Sequence, residues 1–145
     1  MKEVLQFLQD LSEHNDKPWF EANKQRYLAA KANVDRLAEE LIDAIRTFDD
    51  SIGPLTPKDC TWRIYRDTRF SHDKRPYKTQ MGVYVARGGK KAGFSGYYFQ
   101  IGAPDAGHML AAVFKTTKPF LDYINRAIDY CREEMTVHPS LRCKE

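Results

Sequence analysis

Residues 62–79, called the basic segment below, concentrate the side chains of this chain that could do chemistry. They include six of the 23 lysines and arginines but only two of the 20 acidic residues. The basic segment therefore carries +4, while the remaining 17 cations and 18 anions leave the rest of the chain at −1. Guanidinium and ammonium groups at this density favour a carboxylate or phosphate partner. The cations are Arg63, Arg66, Arg69, Lys74, Arg75 and Lys78.

Three interpretations of the basic segment compete. It could bind a phosphate-bearing or other anionic small molecule, or nucleic acid, with cations on phosphates and tyrosines on rings. It could be the site of a phosphoester hydrolase or nuclease-like enzyme, in which Asp67 and Asp73 are metal ligands or a general base. It could also be a structural hairpin in which these aspartates pair with neighbouring cations. The candidate ligand-binding residues are Arg63, Arg66, Arg69, Lys74, Lys78, Tyr65 and Tyr77.

The sequence identifies no cofactor and predicts no standing metal site. The cations around Asp67 and Asp73 would repel a metal ion unless an anionic substrate bridged it. Three widely spaced cysteines, Cys60, Cys131 and Cys143, argue against a disulfide framework and against a Cys-x-x-Cys metal site. We therefore predict reduced thiols and no bound metal.

A straight strand cannot gather these cations around one anion. At about 3.3 Å per residue, Arg63 and Arg69 of such a strand would lie roughly 20 Å apart. Either the cations line up along an extended polyanion, or the chain folds back at residues 71–76 and brings Lys74 and Lys78 over Arg69. A proline in that loop restricts the residue before it to extended geometry, which favours a defined loop.

Helical periodicity predicts the elements that precede the basic segment. Apolar residues at helical spacing predict a first helix over about residues 2–13. Apolar residues seven apart from Phe20 to Phe48 predict one long helix of roughly 45 Å, capped by Asn15 or Asp16. Its apolar stripe is typical of a helix lying on a sheet, and a coiled-coil dimer seam is the alternative.

Period-two alternation predicts strands over about residues 59–67, 80–87 and 94–102, and residues 109–114 could add a fourth. Short connections favour antiparallel pairing. In the first of these strands, Trp62 would share the core-facing side with Ile64.

These elements predict an α+β domain, with N-terminal helices packed on an antiparallel sheet of three to four strands and then a C-terminal helix over about residues 120–134. We predict a single domain over residues 1–135 and an unpatterned tail over 136–145. The chain lacks an apolar run of the roughly 20 residues that a membrane span needs, and its N-terminus does not resemble a secretory signal. We therefore predict a cytoplasmic protein with no membrane contact.

Three stretches carry a family resemblance: Asn15–Phe20, Arg63–Lys78 and Tyr97–Ile101. With these residues the chain resembles a bacterial family of uncharacterised proteins, the domain of unknown function 2461, over about Val4 to Cys131. The resemblance implies the predicted fold and a site in the basic segment. It implies no activity, because none is assigned to the family.

The chain departs from the pattern of that family at several positions. His72 stands where the resemblance leads us to expect lysine, and Leu110–Ala112 replace a glycine-rich stretch. The family pattern also continues past the predicted last helix. The resemblance therefore implies a C-terminally shortened member, in which a homodimer would cover an exposed sheet edge.

Overall fold

The computed structural model describes residues 1–112, in which helices precede and pack against an antiparallel sheet. The α+β class is therefore confirmed. The predicted C-terminal helix and the tail lie outside the described residues. The elements are α1 (Lys2–Glu13), α2 (Lys17–Ala22), α3 (Lys24–Arg46), α4 (Pro57–Cys60), β1 (Gln80–Ala86), β2 (Gly96–Gly102) and β3 (Met109–Ala112).

The predicted long helix is two helices. Asp16 caps α2 by accepting a hydrogen bond from the Trp19 amide at 2.8 Å. The helix is interrupted at Asn23, where the side-chain Nδ2 donates to the Trp19 carbonyl at 3.0 Å. A side-chain amide that bonds nearby backbone competes with regular helical bonding. The prediction of an unbroken helix is therefore wrong, and the break falls at a polar position of the apolar stripe.

The three strands form an antiparallel sheet in the order β1-β2-β3. Gly82 lies opposite Gln100, and Tyr84 lies opposite Tyr98. The odd-numbered residues Met81, Val83 and Val85 of β1 are buried in the core. Since side chains alternate along a strand, Gln80, Gly82 and Tyr84 lie on the other face. β3 falls within the predicted fourth strand.

The predicted strand over residues 59–67 is wrong. Its start belongs to α4, which Thr56 and Asp59 begin with a reciprocal capping box. The rest is irregular and contributes only two isolated bridges, Thr61 to Val83 and Tyr65 to Tyr77. The helix-start chemistry therefore decides the structure of residues 59–60, where it overrides the alternating pattern.

Trp62 does not join the core as predicted. Ile64 is buried, but Trp62 is 43% exposed. Without a continuous strand, the two side chains need not share a face. The exposed Trp62 indole is therefore accessible to a ligand.

The core lies between α1, α3 and the sheet, and it encloses Cys60 completely. Cys60 is a free thiol, as predicted, and burial raises its pKa to about 11. Cys131 and Cys143 lie outside the described residues. Among residues 1–112, no helix has the length and apolar character needed to cross a membrane.

Candidate functional site

The basic segment folds back on itself. The Arg66 amide donates to the Pro76 carbonyl at 2.9 Å, and the Lys78 amide donates to the Ile64 carbonyl at 2.8 Å. Residues 64–66 and 76–78 are thereby paired, and residues 67–75, called the loop below, connect them. The chain folds back, so the extended strand of cations is not observed. Lys78 Nζ bonds the Arg63 carbonyl and Lys74 Nζ bonds the Thr68 carbonyl, so the predicted grouping of these lysines over Arg69 is not what the described contacts show.

Asn15 fixes this pairing to the helices. Its Nδ2 donates to the Tyr77 carbonyl at 3.0 Å, and its Oδ1 accepts from the Tyr77 amide at 3.1 Å. The Tyr77 ring stacks on Phe20 with centroids 4.0 Å apart, and the Tyr65 ring meets Phe20 edge-on at 5.8 Å. The two tyrosines predicted to contact a ligand therefore anchor the segment on the core. Tyr77 is buried, whereas Tyr65 keeps an exposed edge.

Asp73 is the centre of an ion-pair network in the loop. It accepts from Arg66 Nη1 at 2.5 Å and from Arg75 Nη2 at 2.9 Å. Arg75 also reaches Asp105, in the turn after β2, with Nη1 to Oδ2 at 2.9 Å. Hydrogen bonds from Arg75, and then from Arg66, hold the pKa of Asp73 well below its usual range. The network therefore ties the loop to the sheet.

Asp67 is occupied in the same way. The Arg69 Nε and Nη2 atoms donate to its two carboxylate oxygens at 2.9 and 2.7 Å, and this pairing lowers the pKa of Asp67. Lys74 Nζ donates to the Thr68 carbonyl at 3.1 Å. Four of the six cations thus bond within the loop or to its anchors. Among residues 1–112, no group of three or more His, Cys, Asp and Glu side chains could hold a metal ion.

Arg63 and Lys78 face a different environment. They line a groove of about 220 Å³ beside the sheet. Lys78 Nζ donates to the Arg63 carbonyl at 3.2 Å. Within residues 1–112, neither side chain has a carboxylate partner. Burial, and then the charges of Arg63 and Arg66, lower the pKa of Lys78. The groove therefore has a positive wall that takes part in no described ion pair, although the Arg63 charge is near enough to lower the pKa of Asp67. Its lining residues are Trp62, Arg63, Lys78, Gln80, Met81, Gly82 and Tyr98.

The floor of the groove is held in place by the sheet. Tyr98 lies across Gly82, where an added Cβ would come within 2.9 Å of the phenol oxygen. The Tyr98 hydroxyl donates to Gln100 Oε1 at 2.7 Å, and Gln100 Nε2 donates to the carbonyls of Ala106 and Gly107. The Trp62 ring meets the Tyr98 ring edge-on at 6.0 Å. These contacts fix two aromatic rings beside the two cations.

The predicted site residues thus divide into three groups, one of which is the pair Tyr65 and Tyr77 that packs on Phe20. The structure brings Arg63 and Lys78 together in the groove, and it places Arg66, Arg69, Lys74, Asp67 and Asp73 in the loop network. A smaller depression of about 10 Å³ between α3 and residues 61–64 has room for roughly one water molecule.

The sequence interpretation missed the contribution of the sheet to the groove. Gln80, Gly82 and Tyr98 received no functional role, and Trp62 was assigned to the core. A signal was present in β1, where a glutamine, a glycine and a tyrosine alternate with buried apolar residues. That pattern indicates a polar sheet face with little side-chain bulk at its centre.

Comparison with known proteins gives one family match. A family model described as a conserved hypothetical protein (DUF2461) matches residues 3–138, which confirms the resemblance identified in the sequence. The searches of curated proteins and of solved structures found no significant match. The family description carries no activity, so function has to be argued from the groove and the loop.

Proposed function

Because the chain belongs to the DUF2461 family of conserved hypothetical proteins, whose description carries no activity, we propose a function from geometry: binding of a small phosphate-bearing or other anionic ligand. The ligand occupies the groove beside β1. Arg63 supplies the main anion contact, and Lys78 supplies a second positive charge. Trp62 and Tyr98 contact the organic part of the ligand.

The unpaired Arg63 guanidinium carries this proposal. The five other cations of the basic segment donate to carboxylates or carbonyls, but among residues 1–112 no group accepts a bond from the Arg63 side chain. A guanidinium presents a planar set of donors that matches a phosphate or carboxylate. At its edge of the groove, that set is available to an incoming anion.

The groove favours a small ligand. Its volume of about 220 Å³ lies below the roughly 300–1,000 Å³ of sites for drug-sized molecules. A phosphate monoester of a three-carbon compound fits this limit better than a dinucleotide. We favour a small ligand over nucleic acid because most cations of the basic segment are already engaged in the loop, which leaves few to follow a phosphate backbone.

We favour binding over phosphoester hydrolysis. Asp67 is engaged by Arg69, and Asp73 is engaged by Arg66 and Arg75. A carboxylate held by arginines is a weak base, because its lowered pKa disfavours proton acceptance. The cytoplasmic location and the homodimer stay predictions.

Arg63→Ala tests the proposed anion contact directly. Loss of the guanidinium should weaken binding of glycerol 3-phosphate about tenfold or more, because hydrogen bonds to charged groups contribute roughly 1.5–3 kcal/mol. Isothermal titration calorimetry with the full chain measures this affinity. Glycerol serves as the ligand without the phosphate and should show no binding.

Arg46→Ala is the matched control, since it removes an exposed arginine at the end of α3 that does not line the groove. Equal loss of affinity in the two variants would contradict the proposal, as would the absence of binding to the wild-type protein. Tight binding of a single-stranded oligonucleotide, with affinity falling steeply as salt rises, would favour nucleic acid instead.

A further inference from the structure

Lys78 has surroundings that are unusual for a lysine. Its Nζ is partly buried at the groove and donates to the backbone carbonyl of Arg63 at 3.2 Å. Its nearest charged neighbours include Arg63 and Arg66, and within residues 1–112 no carboxylate pairs with it. Among the described residues, the Arg63 carbonyl stabilises the ammonium form of Lys78, whereas the positive charges of Arg63 and Arg66 destabilise it.

These surroundings increase the uncharged fraction of the Lys78 amine relative to an ordinary lysine, although the ammonium form is still available to pair with an anion. Partial removal from water and neighbouring positive charges both disfavour protonation of a lysine, and both act here to lower its pKa. An uncharged lysine amine is a nucleophile, and such lysines form Schiff bases with carbonyl compounds. Lys78 also lines the groove, so a bound molecule can reach its Nζ.

We infer that Lys78 forms an imine with the carbonyl carbon of a small anionic aldehyde or ketone held in the groove. The Nζ lone pair attacks the carbonyl carbon, and a C–N bond replaces one C–O bond. The second C–O bond then breaks, and the oxygen leaves as water with the two amine hydrogens. No group is oxidised or reduced, so the step needs no co-reactant.

Arg63 and Lys78 have different roles in the groove. Arg63 is more exposed and permanently charged, so it holds the anionic group of the ligand. Lys78 is less exposed and provides the amine. Trp62 and Tyr98 enclose the same space and limit the ligand to a small carbon skeleton. This inference rests on the proposed function, because it assumes that the anion binds at Arg63.

Reductive trapping tests the inference on the full chain. The protein is incubated near pH 7 with glycolaldehyde phosphate and sodium cyanoborohydride, which reduces an imine to a stable secondary amine. Peptide mass spectrometry then gives the modification rate of each lysine. We expect Lys78 to react faster than Lys91, an exposed lysine in the β1–β2 connection, since a lowered pKa raises the uncharged fraction of the Lys78 amine at this pH.

Glycolaldehyde is the matched neutral reagent. The preference for Lys78 should be larger with the phosphate than with glycolaldehyde, and Arg63→Ala should reduce this difference. Lys78→Arg should abolish the fast modification, whereas Lys91→Arg should leave it in place. Equal rates at Lys78 and Lys91, or modification of neither, would overturn the inference.

The proposed function is judged separately by the calorimetry of glycerol 3-phosphate, which contains no carbonyl group. Binding of that compound together with equal lysine rates would leave the proposed function in place and reject the imine. If glycerol 3-phosphate does not bind, and the phosphate gives no advantage over glycolaldehyde in trapping, both are rejected.

Discussion

Asp73 illustrates how the surroundings of a residue decide its role. In the sequence, a carboxylate among arginines and lysines could be a metal ligand, a general base or an ion-pair partner. In the structure, Asp73 receives the side chains of Arg66 and Arg75 and the Arg75 amide. These bonds connect the two sides of the loop. Asp73 therefore stabilises the shape of the basic segment.

This role predicts a pH dependence. The pKa of Asp73 is lowered in the folded protein, so the unfolded chain binds more protons as the pH approaches the usual aspartate value of about 3.9. The stabilisation by Asp73 should be fully present above that value and decline as the pH falls below it. Asp73→Asn should flatten the acid side of a plot of Tm against pH.

Thermal unfolding monitored by circular dichroism between about pH 2.5 and pH 7 measures this effect. Glu39→Gln removes an exposed carboxylate of α3 and serves as the control. If Asp73→Asn and Glu39→Gln show the same acid limb as the wild type, Asp73 does not stabilise the loop as described.

The turn between α1 and α2 holds the basic segment through Asn15. A side-chain amide offers one donor and one acceptor in nearly the geometry of a peptide group. Asn15 uses both on Tyr77, and the Tyr77 ring stacks on Phe20 of α2. The turn and α2 thus fix one side of the paired chain that carries Lys78.

Asn15→Ala should lower the free energy of unfolding by about 2 kcal/mol, because it leaves the amide and carbonyl of Tyr77 without these partners. Urea denaturation followed by circular dichroism gives the value. Asn33→Ala makes the same chemical change on α3, where the amide contacts Glu3 at 3.4 Å, and should cost little. If the free energy of unfolding falls equally in the two variants, the hydrogen bonds from Asn15 to Tyr77 do not stabilise the protein more than the exposed Asn33 contact does.

Strand β1 requires a residue without a side chain at position 82, because the Tyr98 ring fills the space beside it. A Cβ at this position would lie 2.9 Å from Tyr98 Oη and 3.0 Å from Cε2, so the ring would have to move. Gly82→Ala should therefore weaken ligand binding by roughly 1 kcal/mol, about fivefold, while the fold persists.

Calorimetry with glycerol 3-phosphate, alongside a Tm measurement, separates the two effects of Gly82→Ala. Gly53→Ala is the control, because nothing lies within 4 Å of its added Cβ. Unchanged affinity in Gly82→Ala would show that the position of Tyr98 does not shape the groove.

The sequence predicts much of the architecture of the whole molecule. The apolar stripes identify α1 and α3, and alternation identifies β1 and β2, because these elements present one continuous face to the core. The break at Asn23 and the helix α4 are missed. Both depend on local side-chain bonds to the backbone, which compete with the overall pattern.

The sequence predicts only part of the candidate site, because the rest depends on contacts between residues that are distant in the chain. The charge of the basic segment is visible in the sequence, but the sorting of its cations depends on contacts with distant residues. Asp105 accepts a hydrogen bond from Arg75, 30 positions away, and Tyr98 of β2 contacts the Trp62 ring. Strand spacing alone therefore leaves both an extended row of cations and a folded-back chain possible, and it cannot show that Arg63 and Lys78 are the cations that line the groove.

The hydrogen bonds between Asn15 and Tyr77 also limit when this part of the structure can form during synthesis of the chain. The two residues are 62 positions apart, so Asn15 cannot make this contact until the chain has been synthesised as far as Tyr77. Contacts of such separation form late, because closing a long loop costs entropy before the contact repays it. The groove is lined by Lys78 and by residues of β1 and β2, so it can form only after the N-terminal helices have been synthesised.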